Sequence, residues 1–300
     1  MRYKTAAAFR VALETRLLTQ SRQEGLPLVR LRKAVAFDRL LARLVADQPD
    51  RWVLKGGYAL QLRLENAKDV RPRTTRDVNL QTLVPRERVR DALIRAARVD
   101  LGDWVQFEVS ELTAPRDDEQ ALEQGALRSQ VTMFLDGRRF EAFNVDVNLH
   151  DPLLERADLL ALPPLLEFAG ITPIKVPCYP LAQHIAEKVH AYTREHVSGP
   201  NTRVKDLVDL LLIAELGQAL SGTELRRALE ATFAERGSAL PSQLPDPPTA
   251  WERPYQVLAR EARLRHTLLH EAMVAARLFI DPVLGLQNGG RWDHEQWRWR

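Results

Sequence analysis

One cysteine in three hundred residues, Cys178, leaves no partner for an internal disulfide and no cysteine set for a zinc cluster. Long apolar runs are missing as well, so no stretch reads as a bilayer span or as the apolar centre of a secretory signal. A soluble, cytoplasmic protein with no membrane role is therefore expected. Charge of one sign is also scarce overall, with a formal net of +3. That balance hides an asymmetry, because residues 1–46 carry ten Lys and Arg against Glu14, Glu24 and Asp38. The segment is thus +7 and the remainder −4. A basic segment favours a polyanionic partner, since phosphate contacts release condensed counterions. The solvated outer face of two amphipathic helices is an equally open reading.

What the chain does have is apolar content of 45%, enough for a substantial core in one large domain or two closely packed ones. Helical spacing of apolar residues runs over 5–19 and 30–46, with Gly25 and Pro27 parting the two. The stretch RWVLKGGYALQLRL predicts a short strand at 51–54, a diglycine turn and a helix from about Tyr58. Pro85 suits the first turn of a helix ending near Ala97. Alternation predicts strands at 104–109, 127–135 and 139–149, the last two joined at Asp136-Gly137. Beyond a proline-rich stretch at 163–180, helices are expected at 180–194, 206–216, 222–236 and 266–280, with 240–254 a loop. The expected fold class is α/β (α+β): a mixed-sheet domain over 1–165 with basic N-terminal helices, then a mainly helical domain over 166–300.

Two strands carry the sharpest chemical signal. In DVNLQTL, Val78 and Leu80 face one way and Asp77, Asn79 and Gln81 the other. In FNVDVNL, Phe143, Val145, Val147 and Leu149 form the apolar face, opposite Asn144, Asp146 and Asn148. If these strands are neighbours, Asp77 and Asp146 converge, and one or two carboxylates plus substrate phosphates are the usual coordination of Mg²⁺. A sheet with one solvated face would give the same pattern. Gly56 and Gly57, after Lys55, would let backbone amides approach phosphate, or would only turn the chain. Arg71, Arg73 and Arg76, with Thr75 among them, suit phosphate binding and also suit a surface loop.

In the helical half, Lys188 lies at the margin of a face made by Leu181, Ile185, Val189 and Tyr192. RVKDLVDLLLI sets Asp206 and Asp209 three apart, with Asp209 in apolar company, so that this carboxylate needs partners. An N-cap at Asp206 with Asp209 in the first turn, or a catalytic role, would each satisfy it. His184, His190 and His196 show no metal or triad geometry. The tail GGRWDHEQWRWR interleaves Trp292, Trp297 and Trp299 with arginines, for stacking on bases or for docking on the protein's own core.

Taken in order and spacing, LKGGYALQLRL, RPRTTRDVNL, IAEKVHAYT and RVKDLVDLLL resemble the AbiEii-type (MenT-like) nucleotidyltransferase toxins of the DNA polymerase beta-like nucleotidyltransferase superfamily. The likeness covers roughly 30–216. It implies a nucleotidyltransferase-like mixed sheet flanked by helices, and a toxin of a toxin/antitoxin or phage-defence system. The implied reaction moves NMP from an NTP, with Mg²⁺, to an RNA acceptor such as the tRNA 3′ end, and the implied partner is a cognate antitoxin. On this resemblance Gly56 and Gly57 match the glycine motif before the triphosphate site, and Asp77 the first metal-binding aspartate. Lys188 and Asp209 match the lysine and aspartate of the later motifs, with Arg203 and Asp206 beside them. Lys55, Arg73 and Thr75 join the phosphate site, and Asp146 takes the third acidic position.

The sequence departs from the family at Asn79, where the Asp-x-Asp pattern has a second carboxylate. Asparagine offers magnesium a carbonyl oxygen but no charge. Three readings stay open there: an active enzyme resting on Asp77 and Asp146, an attenuated or inactive homologue that binds nucleotide or RNA without turnover, or a change made to permit expression of a toxic protein. A small-molecule nucleotidyltransferase of the antibiotic-modifying kind shares the strand chemistry without needing the basic N-terminal segment.

Overall fold

The computed structural model describes residues 1–64, 75, 77–115, 125–149, 156–194, 203–285 and 290–300. Arg71, Arg73, Arg76 and His196 lie outside the described residues. The chain divides into two units, the first made of Met1–Leu62, Thr74–Pro152 and Ala157–Cys178, the second of Arg63–Arg73, Leu153–Arg156 and Tyr179–Arg300.

In the first unit, helices α1 (Ala6–Glu24) and α2 (Leu28–Asp47) lead into β1 (Trp52–Lys55), α3 (Gly56–Leu64) and β2 (Val78–Thr82). A short 3-10 turn precedes α4 (Val89–Ala97), followed by β3 (Val105–Val109), β4 (Leu127–Leu135), β5 (Arg138–Asn148), β6 (Asp158–Ala161) and β7 (Lys175–Cys178). Thr5 caps α1 by accepting from Ala8 N, and Gly25 ends it with φ +65°. The seven strands form one mixed sheet in the order β3-β4-β5-β2-β1-β7-β6. Strand β2 is parallel to β5 and antiparallel to β1, and β1 is parallel to β7.

One face of this sheet is apolar because alternate residues share a side. Leu54, Leu80, Val145 and Val147 are buried with Phe37 and Leu40 of α2 and Leu93 of α4. Phe37 meets Tyr58 and Phe143 edge-on, with centroids 4.9 and 4.8 Å away. The sheet also explains where the first unit ends. Leu54 pairs with Cys178, so the last strand lies beyond the boundary expected near 165. The proline-rich stretch reads as irregular by composition, yet it contributes that strand, which pairs with β6 over four residues and meets β1 at Cys178.

Several N-terminal basic residues prove to be internal. Arg43 gives Nη1 and Nη2 to the two carboxylate oxygens of Asp103 at 3.0 and 2.6 Å, and Nη2 to Val105 O at 2.8 Å. Arg39 is buried beside Asp38 and bonds to it through Nε at 2.7 Å. Burial pushes the Asp38 carboxyl above its ordinary range, against the pull of Arg39. Arg32 is paired with Glu14. Glu14 and Asp38 are already counted in the +7 of residues 1–46, but Asp103 is not, so its pair with Arg43 takes one further charge from that segment.

The second unit is mainly helical: α5 (Leu181–Thr193), α6 (Val204–Glu215), α7 (Gly222–Glu235), α8 (Glu252–Ala262) and α9 (Leu269–Leu284), then a hairpin of β8 (Trp292–Asp293) and β9 (Arg298–Trp299). Helix α8 falls partly in the stretch expected to be a loop. Pro254 obscures it, yet sits in the first turn where its missing N–H costs nothing, and Tyr255, Ala259 and Ala262 are buried on one face. The three tail indoles are structural. Trp292, Trp297 and Trp299 donate Nε1–H to the carbonyls of Ala214, Ala275 and Phe279 at 2.8, 3.0 and 2.9 Å. Docking on the protein's own helices is thus the reading that holds for this tail.

Candidate functional site

The polar face of the sheet is built by register. Lys55 lies opposite Asn79, Asn79 opposite Asp146, and Asp146 opposite Arg128. Residues in register share a face, so four strands contribute one polar rung: Lys55, Asn79, Asp146, Arg128. Asp77 stands two residues before Asn79, at the lip of β2, half-buried. Thr75 donates its hydroxyl to Asp77 O at 3.3 Å and so fixes the turn that enters the strand. Strands β2 and β5 are neighbours, the condition set for Asp77 and Asp146 to converge, and the register places Asn79, not Asp77, directly opposite Asp146.

Gly56 is forced by geometry. Its φ is +67°, and a Cβ there would stand 2.5 Å from Asn79 Nδ2. The backbone at the head of α3 therefore abuts the Asn79 side chain, with Gly57 next along the helix.

Asp146 is not waiting for a partner. Arg128 gives Nε to Oδ1 at 2.6 Å and Nη2 to Oδ2 at 2.8 Å, the two-bond fork that suits guanidinium and carboxylate. Arg128 is absent from the sequence-level site, and the reason is local. The turn at Asp136-Gly137 pairs Leu135 with Arg138, and continuing that register would set Leu127 opposite Asp146. Instead the register slips between Met133 and Phe134, leaving Phe140 without a counterpart, and Arg128 comes opposite. The signal was the break in alternation between Phe140 and Phe143, both buried.

In the second unit, Lys188 on α5 and two carboxylates on α6 form a buried cluster. Lys188 Nζ donates to Asp209 Oδ2 at 2.6 Å and to Asp206 Oδ1 at 3.1 Å. Asp209 is fully buried, so its company is met by the lysine, as a buried carboxylate requires. Asp206 is not the N-cap: Arg203 holds that position and Asp206 is the third residue of α6. Its N–H bonds to Arg203 O at 2.8 Å. His184 and His190 are buried on α5, and His190 shares a hydrogen bond with Ser238.

Among the described residues no group of three or more His, Cys, Asp or Glu forms a metal cluster. Asp77 and Asn79, two residues apart, offer a carboxylate and a side-chain carbonyl, the oxygen chemistry that a divalent ion completed by nucleotide phosphates takes. Both oxygens of Asp146 accept from Arg128, so an ion at Asp146 would share that carboxylate with a cation.

A mixed sheet with a diglycine-led helix after β1, an aspartate just before β2 and another on β5 defines a nucleotidyltransferase-type fold. A solved structure agrees: MenT4, a nucleotidyltransferase toxin from Mycobacterium tuberculosis, matches with a TM-score of 0.54 and 19% identity over 88% of this chain and 85% of that one. At that identity the likeness speaks for the fold. No curated protein sequence matches the chain. The family model described as nucleotidyl transferase AbiEii toxin, type IV TA system, matches residues 39–285, and the chain belongs to that family. Membership makes it a nucleotidyltransferase toxin by family, implying a nucleotide substrate and an antitoxin partner; such enzymes generally use a divalent metal. No helix among the described residues is long and apolar enough to cross a membrane.

Proposed function

We propose that this toxin moves NMP from an NTP to an RNA acceptor, the tRNA 3′ end, in an Mg²⁺-dependent reaction in the cytoplasm. The observation that carries the reading is the meeting of Gly56, at the head of α3, with Asn79, two residues from Asp77. Asp77 holds the metal, with Asn79 as a neutral second donor. When bound, the ion offsets phosphate charge and assists departure of pyrophosphate.

The chain's own groups do the rest. Glycine at 56 keeps side-chain bulk away from approaching phosphate, and Gly57 extends that opening. Lys55, Arg73, Thr75 and Arg203 take phosphate contacts. By the family motifs Lys188 and Asp209 of the second unit are the further catalytic pair; as the acceptor hydroxyl attacks the α-phosphorus, one O–P bond forms, the bond to pyrophosphate breaks and the hydroxyl proton passes to water. Asp209 orients Lys188, supported by their 2.6 Å bond, with Asp206 as the second anchor. Exposed basic residues of α1, such as Arg16 and Arg22, guide the RNA.

A second reading, a protein that binds nucleotide or RNA without turnover, is favoured by one specific feature: Asn79 lacks charge and Asp146 is held by Arg128. Incubation with tRNA, Mg²⁺ and each labelled NTP, beside Asn79→Asp, separates the two. Label in RNA from the natural sequence removes the binding-only reading. Absence of label with both proteins removes the enzyme.

A further inference from the structure

The polar rung contains a cation where a two-metal site would need a vacancy. The Arg128 side chain is 14% exposed and that of Asp146 is 7%, so the pair is largely withdrawn from water. Breaking such a pair strands a charge, and a divalent ion on the remaining lone pairs of Asp146 would stand against the positive charge of the guanidinium. Asn79, in register beside Asp146, adds no carboxylate to draw that ion in. Lys55, across the same rung, adds further positive charge. The guanidinium already on Asp146 thus opposes a divalent ion at that carboxylate, and a guanidinium is itself a phosphate-binding group.

We propose that Arg128 is the resident cation of the nucleotide site: fixed by Asp146, it takes the place of a second metal ion, so the triphosphate binds with one divalent ion, at Asp77. This rests on the nucleotidyltransferase reading above. The asparagine at 79 and the arginine at 128 then form one adaptation, in which a carboxylate is lost and a fixed positive charge serves where metal charge is missing. Arg128 is a positioning and charge-supplying residue. Its guanidinium is held in plane by two bonds, which a lysine ammonium cannot reproduce.

The test uses full-length protein. Mn²⁺ binding is followed by electron paramagnetic resonance, and binding of ATP, GTP, CTP and UTP by calorimetry, with Mn²⁺ and in EDTA. The neutral double variant Arg128→Gln/Asp146→Asn keeps a hydrogen-bonded pair without stranding a charge, and thermal melting checks its fold. One Mn²⁺ per bound nucleotide is expected in the natural protein. The double variant should keep its Mn²⁺ affinity within about twofold while its nucleotide affinity in EDTA falls about tenfold, the loss of one charge-assisted contact. Arg128→Lys should recover part of that affinity; should the double variant melt early, this variant carries the same EDTA comparison. Asp77→Asn should reduce Mn²⁺ binding about tenfold or more. Two Mn²⁺ per nucleotide, or a loss of Mn²⁺ in the double variant equal to that in Asp77→Asn, overturns the inference and leaves the proposed function standing. Unchanged nucleotide affinity in EDTA, in the double variant or in Arg128→Lys beside Arg128→Gln, overturns it too. Failure of all four nucleotides to bind the natural protein overturns both.

Discussion

Two arginine–aspartate pairs in the sheet unit form two-bond forks for different ends, one through Nη1 and Nη2 of Arg43, the other through Nε and Nη2 of Arg128. Arg43 and Asp103 are each 1% exposed, and the guanidinium also bonds to Arg39 O and Val105 O and lies over the Phe107 ring. Those contacts tie α2 to the start of β3. Arg128 and Asp146 sit instead on the polar face, in a rung with Lys55 and Asn79 beside the diglycine turn. Pair chemistry alone does not tell a structural ion pair from one at a site. What tells them apart is the face of the sheet they occupy and whether the neighbouring groups call for a ligand.

The sharpest way to break this contrast is Arg43→Met, which leaves buried Asp103 with only the Val105 N–H at 3.2 Å and a long contact to Arg39 at 3.5 Å. It should cost about 3–5 kcal/mol in urea unfolding while the folded fraction keeps its nucleotide affinity. A cost under about 1 kcal/mol would show the pair to be dispensable. Next in size is Gly56→Ala, on the site side of the comparison. Strain at φ +67° and a 2.5 Å approach to Asn79 should cost about 1–3 kcal/mol and weaken NTP binding, measured by melting and calorimetry. Adding Asn79→Ala should relieve the clash and not the φ strain, so full recovery would contradict the assignment.

Trp299→Phe removes a donor and leaves Phe279 O unanswered by the tail. A loss of about 1 kcal/mol without change in nucleotide binding is expected, and a selective loss of RNA binding would revive the stacking role. The smallest effect concerns Glu215. Burial raises its carboxyl above the ordinary range, opposed by the Arg265 N–H bond. Because the folded-state value is raised, its favourable contribution is complete below about pH 4.5 and is lost as pH rises through the raised value. Glu215→Gln should therefore raise the melting temperature at pH 7 and lose that advantage near pH 4. An unchanged difference across that range would count against burial as the cause.

Much of the sheet was legible from alternation. DVNLQTL and FNVDVNL announce their faces because a strand repeats every two residues, and the β4 and β5 turn is announced by Asp136-Gly137. Helix α8 was hidden by prolines, and β7 by a composition that suits edge strands as well as loops. Within the site, Asp77 and Gly56 were legible by residue type. Lys188 and Asp209 were legible by helical spacing and resemblance, though the bond between them was not, since 21 residues separate them.

The sequence by itself determined that an acidic strand, a diglycine turn and a lysine-aspartate pair of helical motifs would be present, because periodicity and residue chemistry are local properties. Only the tertiary structure decided which charges meet. One unpaired residue at Phe140 moves the register by a single step, and that step sets Arg128, in place of Leu127, against Asp146. The physical reason is the two-residue period of a strand: a shift of one exchanges an apolar neighbour for a cation, and no composition or spacing within either strand alone reports it.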